Sequence, residues 1–159
     1  VTPMRTFSLC CAALTVSACV SAPPPAAPPE KAPTEREFLN TGAKPNGFTH
    51  TVTVSSPGTM VFVSGAAGAG PDGKMPEDFA EQCENTFKSL GERLALAGAD
   101  FDDLVKVTYF MGPDADLSVL REVRSKYLNM ENPPSASAIP VAFKGPMVLE
   151  IEGIAILDQ

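Results

Sequence analysis

The sequence predicts an α+β domain in which two helices lie on one face of a single sheet, in the order ββαβαββ. Two observations carry this expectation. From about Pro45 onward the spacing of apolar residues switches repeatedly between two, the period of a strand, and three to four, the period of a helix. Both helical stretches also keep their apolar residues on one side, so each covers a surface rather than being surrounded.

Residues 48–54 (FTHTVTV) alternate as a strand, entered past Gly42 and Gly47 and left through Ser55-Ser56-Pro57-Gly58. Residues 59–63 (TMVFV) form a second strand, and the short turn pairs the two as a hairpin. Residues 65–73 are a loop. Phe79, Cys83, Phe87, Leu90, Leu94 and Ala97 then recur at three and four, an amphipathic helix stopped by Gly98. Residues 104–111 are a strand. Asp114 or Asp116 caps a second helix with Leu117, Leu120, Val123 and Tyr127 on one face, and Pro133-Pro134 ends it. Two strands follow, at about residues 137–143 and 147–157. With helices on one face only, the other face of the sheet needs a partner, which oligomerisation supplies.

Residues 1–44 lie outside this pattern. Met4-Arg5 precedes a short apolar run, residues 7–16, too short to cross a bilayer as a helix. The run ends in Leu14-Thr15-Val16-Ser17-Ala18-Cys19, and small residues directly before a cysteine resemble the bacterial lipoprotein cleavage box. That resemblance implies a signal peptide over 1–18, cleavage after Ala18 and a lipid on Cys19; an ordinary secretory signal cut near Ala22 is the alternative. Val20, where an aspartate is linked to inner-membrane retention, implies the periplasmic face of the outer membrane. Residues 22–33 hold six prolines among twelve, an extended polyproline stretch reaching roughly 37 Å. Residues 19–44 are therefore expected to be a tether and 45–159 the folded domain. Cys10 and Cys11 leave with the signal and Cys19 takes the lipid, so Cys83 alone remains and no intramolecular disulfide forms. Its place on the helical stripe makes it a core residue.

Charge and motif content exclude several functions. The formal net charge is −7 and the basic residues are scattered, which argues against a nucleic-acid partner. One histidine and one remaining thiol cannot build a metal site, no Ser-His-Asp arrangement is present, and no cofactor is expected. Gly68-Ala69-Gly70-Pro71-Asp72-Gly73 matches a dinucleotide-binding pattern, but Pro71-Asp72-Gly73 spells a β-turn and Pro76 delays the helix, so no phosphate cradle follows.

Glu150 and Glu152 sit two apart in the apolar run Val148-Leu149-Glu150-Ile151-Glu152-Gly153-Ile154, so both carboxylates share one face of a strand. A buried carboxylate needs a partner, which raises the question of the matching cation. Here the residues resemble a known family. Val61-Phe62-Val63-Ser64-Gly65, Pro71-Asp72-Gly73-Lys74, Gln82 and Asn85, Ala97-Gly98-Ala99, residues 102–108 (DDLVKVT), Asn132-Pro133-Pro134 and residues 150–155 (EIEGIA) are similar, in order, to the RidA/YjgF proteins. These are the reactive intermediate deaminases, also called endoribonuclease L-PSP-like.

The resemblance implies a chorismate-mutase-like α+β fold, a homotrimer and small-molecule clefts between subunits. In deaminating members an arginine after the proline pair clamps the carboxylate of a 2-imino acid, and the first glutamate of E-I-E helps position the attacking water. Glu150 matches that glutamate. Ala136 occupies the arginine position, or Ser135 or Ser137 if the register slips by one, and none of the three is cationic. Phe48 stands where an aromatic lines the cleft, and Ser64-Gly65 where hydroxyl and backbone contact a ligand. Two further candidates remain: Arg121 on the second helix, where the resemblance puts an asparagine close to the cleft, as a relocated clamp, against a solvent-facing arginine paired with Asp114 or Asp116; and His50, the only histidine, as a base, against a surface or trimer-packing histidine. The leading expectation is a lipid-anchored trimer that binds a small metabolite without imine-acid deaminase activity. The alternative is an imine or enamine hydrolase in which Glu150 activates water and Arg121 replaces the clamp.

Overall fold

In a computed structural model the described residues are 32–158. The segment expected to be a signal, Cys19 and most of the expected tether lie outside them. The order is β1 Glu35–Leu39, β2 Thr51–Ser55, β3 Thr59–Ala67, α1 Phe79–Ala95, β4 Leu104–Met111, α2 Leu117–Arg124, β5 Ser135–Pro140 and β6 Leu149–Leu157. Four strands form one mixed sheet in the order β3-β6-β4-β5, parallel between β4 and β5 and antiparallel elsewhere. Both helices pack on one face, which makes the α+β class of the sequence correct.

Two expectations need correction. The hairpin between residues 48–54 and 59–63 does not form. β2 pairs instead with β1, antiparallel from Glu35↔Ser55 to Leu39↔Thr51, and β3 pairs with β6. Phe38 opposite Val52 gives the ribbon an apolar cross-strand pair, and Ser56, with φ 49, turns the chain out of the ribbon before β3. Ordered structure also begins about ten residues ahead of Pro45, inside the stretch expected to be tether throughout. β1 escapes detection because only Phe38 and Leu39 of its five residues are apolar, and Leu39 is exposed. A charged residue anchors it. Arg36 donates to Asp158 Oδ1 at 2.9 Å and to the Ile156 carbonyl, and lies 3.7 Å from Asp103, which ties the ribbon to the end of β6.

The core lies between the helices and the sheet: Cys83, Phe87, Leu90 and Leu94 from α1, Leu120 and Val123 from α2, and Val63, Ala66, Val107, Tyr109, Leu149, Ile151 and Ala155 from the strands. Burial pushes the Cys83 thiol up to about 12, so it stays protonated and acts as a small apolar residue. The Gly68–Gly73 loop makes a turn, with Gly73 N–H donating to Gly70 at 2.9 Å, and α1 starts only after Asp78 caps Glu81 N at 2.8 Å. Gly68 serves close packing: a Cβ there would fall 1.9 Å from the Gln82 carbonyl oxygen. Gln82 is itself buried and fully engaged, donating to the Pro76 and Pro146 carbonyls at 3.1 Å and accepting from Val148 and Leu149 N–H. It fixes the entry of β6 against the start of α1.

Where α1 meets the end of α2, Glu84 accepts from Lys126 Nζ at 2.7 Å and from Tyr127 Oη at 2.6 Å. These two bonds lower its pKa. A depressed carboxylate stabilises the fold above its unfolded pKa of about 4.3, and the contribution disappears as pH falls through the folded value. The thermal midpoint is expected to drop on acidification below about pH 4.3, and Glu84→Gln is expected to flatten part of that drop. Superimposable pH profiles for the two proteins would contradict this.

Candidate functional site

A cavity of about 250 Å³ opens between α2, β5 and the segment before β2, lined by Asn46, Phe48, Tyr109, Leu117, Leu120, Arg121, Arg124, Ala136, Ser137 and Ala138. Local pairing explains the convergence. Thr49 N–H donates to the Pro134 carbonyl at 3.1 Å and Thr49 Oγ1 to the Pro133 carbonyl at 2.7 Å, which lays Phe48 beside the start of β5. β5 runs parallel to β4 with Val107↔Ala136 and Tyr109↔Ala138, so Ala136, Ala138 and Tyr109 all face the helices. Capped by Asp116, α2 presents Leu117, Leu120, Arg121 and Arg124 from above.

Arg124 is the unusual member. It is 6% exposed, its Nη2 donates to the Asn46 carbonyl at 2.7 Å, and its Nε has no hydrogen-bond partner. The guanidinium passes directly against Gly47, where a Cβ would fall 2.1 Å from Nη2; with φ +77 this position suits glycine on both counts. Tyr109, 2% exposed, lies against Arg124 beneath the same cavity, with its hydroxyl sealed from solvent. Burial pushes that hydroxyl up to about 12, against the opposing pull of Arg124, so it remains a donor across the physiological range. Among the described residues the ion pairs are Arg36 with Asp103 and Asp158, Lys74 with Asp72, and Lys126 with Glu84. Neither Arg121 nor Arg124 takes part in one, and no carboxylate lines the cavity. The arrangement is chemically a cationic, donor-rich pocket with an apolar floor.

The residues singled out in the sequence separate into two places. Phe48, Arg121, Ala136 and Ser137 line the cavity, and Arg121 makes no ion pair with Asp114 or Asp116. Ser64, Gly65 and Glu150 lie together elsewhere. β3 is irregular between Val63 and Ala66, and a Cβ on Gly65 would fall 1.7 Å from Glu150 Oε1. Arg93 reaches this bulge, donating to Ser64 Oγ at 3.1 Å and to the Ser64 and Gly65 carbonyls, but forms no ion pair with Glu150. Glu150 is registered opposite Phe110, whereas Ala136 is registered opposite Val107, so the two occupy opposite faces of the sheet. Ser135, opposite Lys106, is on the face of Glu150 and forms a bridge to Thr49. His50 stands outside the cavity, edge-on to Phe48 at 5.7 Å, with Nδ1 accepting from Thr41 N–H at 3.0 Å. No group of His, Cys, Asp and Glu among the described residues could hold a metal ion.

Tyr109, Arg124 and Asn46 were missed in the sequence. A signal existed for Arg124: it lies four residues after Leu120 and three before Tyr127, on the stripe that packs inward. A cation at such a position is either buried or at a site.

Comparison with known proteins agrees with the fold. Residues 41–157 match the family described as Endoribonuclease L-PSP. The chain is 34% identical over 100 residues to Reactive Intermediate Deaminase A, chloroplastic, of Arabidopsis thaliana, a match covering 62% of this chain and about half, 54%, of the plant protein. It is 32% identical over 98 residues to the 2-iminobutanoate/2-iminopropanoate deaminase of Rattus norvegicus, covering 60% of this chain and 72% of that protein. Among solved structures, RidA from an Antarctic Psychrobacter superposes with a TM-score of 0.58 at 28% identity, over 76% of this chain and 99% of that one. With the two helices on a β3-β6-β4-β5 sheet and a family match over most of its length, the chain belongs to the endoribonuclease L-PSP family, the RidA/YjgF proteins.

Proposed function

We propose that this protein is a lipid-anchored trimer that binds a small metabolite and does not hydrolyse 2-imino acids. The observation that carries the reading is the missing clamp: residues 135–137 hold no cation, and Glu150, on the sheet face of Ser135, takes part in no ion pair among the described residues. Hydrolysis of an imine needs a group that positions or deprotonates water within hydrogen-bond reach of the bound substrate. The cavity offers donors and apolar walls, which suffice for binding.

Trimer formation is supported by the face of the sheet that carries no helix. Phe62, Lys106, Thr108, Glu152 and Ile154 line an open depression there, and Phe62 is 72% exposed. An aromatic left in water on a flat sheet face is a site for association. The full chain is expected to sediment as a trimer, and a stable monomer at micromolar concentration would contradict the assembly. Anchoring rests on the Cys19 box and the proline-rich stretch; among the described residues no helix is long and apolar enough to cross a membrane.

One observation favours the hydrolase alternative, with Arg121 as clamp: Arg121 lines the same cavity as Ala136 and makes no ion pair. Side-by-side loss of freshly generated 2-iminobutanoate with wild type, Arg121→Ala, Ala136→Arg and Glu150→Gln separates the two. Equal rates for wild type, Arg121→Ala and Glu150→Gln, at the level of buffer, are expected. Robust wild-type turnover abolished by Arg121→Ala would establish the hydrolase.

A further inference from the structure

We propose that residues 40–47 form a strap that His50 latches at neutral pH and releases in mild acid. The segment lies between β1 and β2 and carries Asn46, with Phe48 just beyond it, and both residues line the cavity between α2 and β5. The latch itself needs no ligand; its bearing on the cavity rests on the binding reading above.

Residues 40–47 make no backbone–backbone hydrogen bond among the described residues, so side chains hold the strap in place. Four ties do so. His50 N–H donates to Asn40 Oδ1 at 3.0 Å, and Thr41 N–H donates to His50 Nδ1 at 3.0 Å. Lys44 Nζ donates to the Glu131 carbonyl, and Arg124 Nη2 to the Asn46 carbonyl at 2.7 Å. Lysine and arginine keep their charge across the physiological range, and an amide oxygen does not titrate.

The Thr41 bond is the exception. A backbone N–H only donates, so Nδ1 must offer a lone pair and the ring proton must sit on Nε2. Histidine is the side chain whose charge ordinarily changes between about pH 5 and 8. Once the imidazolium forms, Nδ1 carries a proton and meets the Thr41 N–H donor against donor. The acceptor left at that end is Thr41 Oγ1, at a longer 3.3 Å. His50 is exposed and takes part in no ion pair among the described residues. Its neighbours Asn40, Thr41 and Phe48 carry no charge. Of the charged residues on the adjoining elements, Glu37 of β1 accepts from Thr53 Oγ1, Arg36 pairs with Asp103 and Asp158, and Glu35 is registered opposite Ser55 at the far end of the ribbon. Lys44 is spent on the Glu131 carbonyl.

The backbone of the strap suits release at one end only. Gly42, at φ +79, has open space around it, whereas Gly47, at φ +77, lies against the Arg124 guanidinium. Loss of the His50 latch therefore frees the part around Gly42, while Asn46 stays on Arg124. The cavity wall made by Asn46 and Phe48 is then held by Arg124 and Thr49 alone.

Amide hydrogen exchange, with nitrogen NMR of the imidazole ring, tests this on the ligand-free full chain. At about pH 7.5 the ring of His50 is expected as the Nε2–H tautomer. Between about pH 7.5 and 5.5, protection of the Thr41 amide, relative to unstructured peptide at the same pH, is expected to fall about two- to ten-fold, the usual worth of one hydrogen bond. Thr49, tied to the Pro133 and Pro134 carbonyls, keeps its protection throughout. His50→Gln, whose amide oxygen is an acceptor that does not titrate, is expected to remove the pH dependence, and His50→Ala to give the low protection at both pH values. This window lies above the acid loss assigned to Glu84, which begins below about pH 4.3. An Nδ1–H tautomer at about pH 7.5 overturns the proposal. So does Thr41 protection that is the same at both pH values, or that falls equally in His50→Gln. With no ligand in the measurement, its failure leaves the binding reading standing, and turnover of 2-iminobutanoate would overturn that reading without touching the latch.

Discussion

Phe87→Ala is expected to cost about 3–5 kcal/mol, the range for truncating a buried aromatic. Phe87 is 1% exposed and stacks on Tyr127 with ring centroids 5.0 Å apart, with Phe101 at 6.4 Å. It therefore joins α1, the turn ahead of β4 and the segment after α2 in one cluster. Domains of this size are stable by about 5–15 kcal/mol, so the variant loses between a fifth and nearly all of its stability. Urea unfolding checks this through the midpoint, with an unchanged slope showing that the loss is one of stability rather than of compactness. A loss below about 1 kcal/mol would mean that the cluster collapses around the gap, contrary to the close packing of cores.

Cys19→Ser is expected to abolish incorporation of labelled fatty acid and to move the protein from the membrane to the soluble fraction. Each buried methylene of an acyl chain contributes about 0.8 kcal/mol, so removing the lipid removes nearly all membrane affinity. A trimer would carry three such anchors, which makes release of the wild type slow through avidity. Recovery of soluble, unlipidated mature wild-type protein from the native host would contradict both the box and the anchor.

Much of the fold was legible because the strongest patterns belong to buried elements. α1 announces itself through Cys83, Phe87, Leu90 and Leu94, and Pro76 with Asp78 fixes its start. β1 was illegible: a ribbon anchored by Arg36 leaves little apolar period to read. The hairpin failed for a related reason, since alternation marks residues 51–55 as a strand but says nothing of which edge they join. At the site, family resemblance led to Phe48, Ala136 and Ser137, which line the cavity, and to Glu150, which lies across the sheet from it. Arg124 and Tyr109 stand outside every quoted motif. Their role depends on Gly47 admitting the guanidinium and on β5 pairing parallel to β4, both tertiary facts.

Binding without hydrolysis, as proposed, is tested by the loss of 2-iminobutanoate at saturating concentration, with and without butanoate as competitor. The cavity holds no acid or base of its own beyond a tyrosine hydroxyl pushed up to about 12. General acid–base catalysis typically supplies about 10²–10⁴-fold, and its absence leaves only orientation. The full-length protein is expected to remove the imine at the rate of buffer, with butanoate changing nothing. Turnover well above buffer that butanoate suppresses competitively would contradict it, because the cavity would then be a place of reaction and not only of binding.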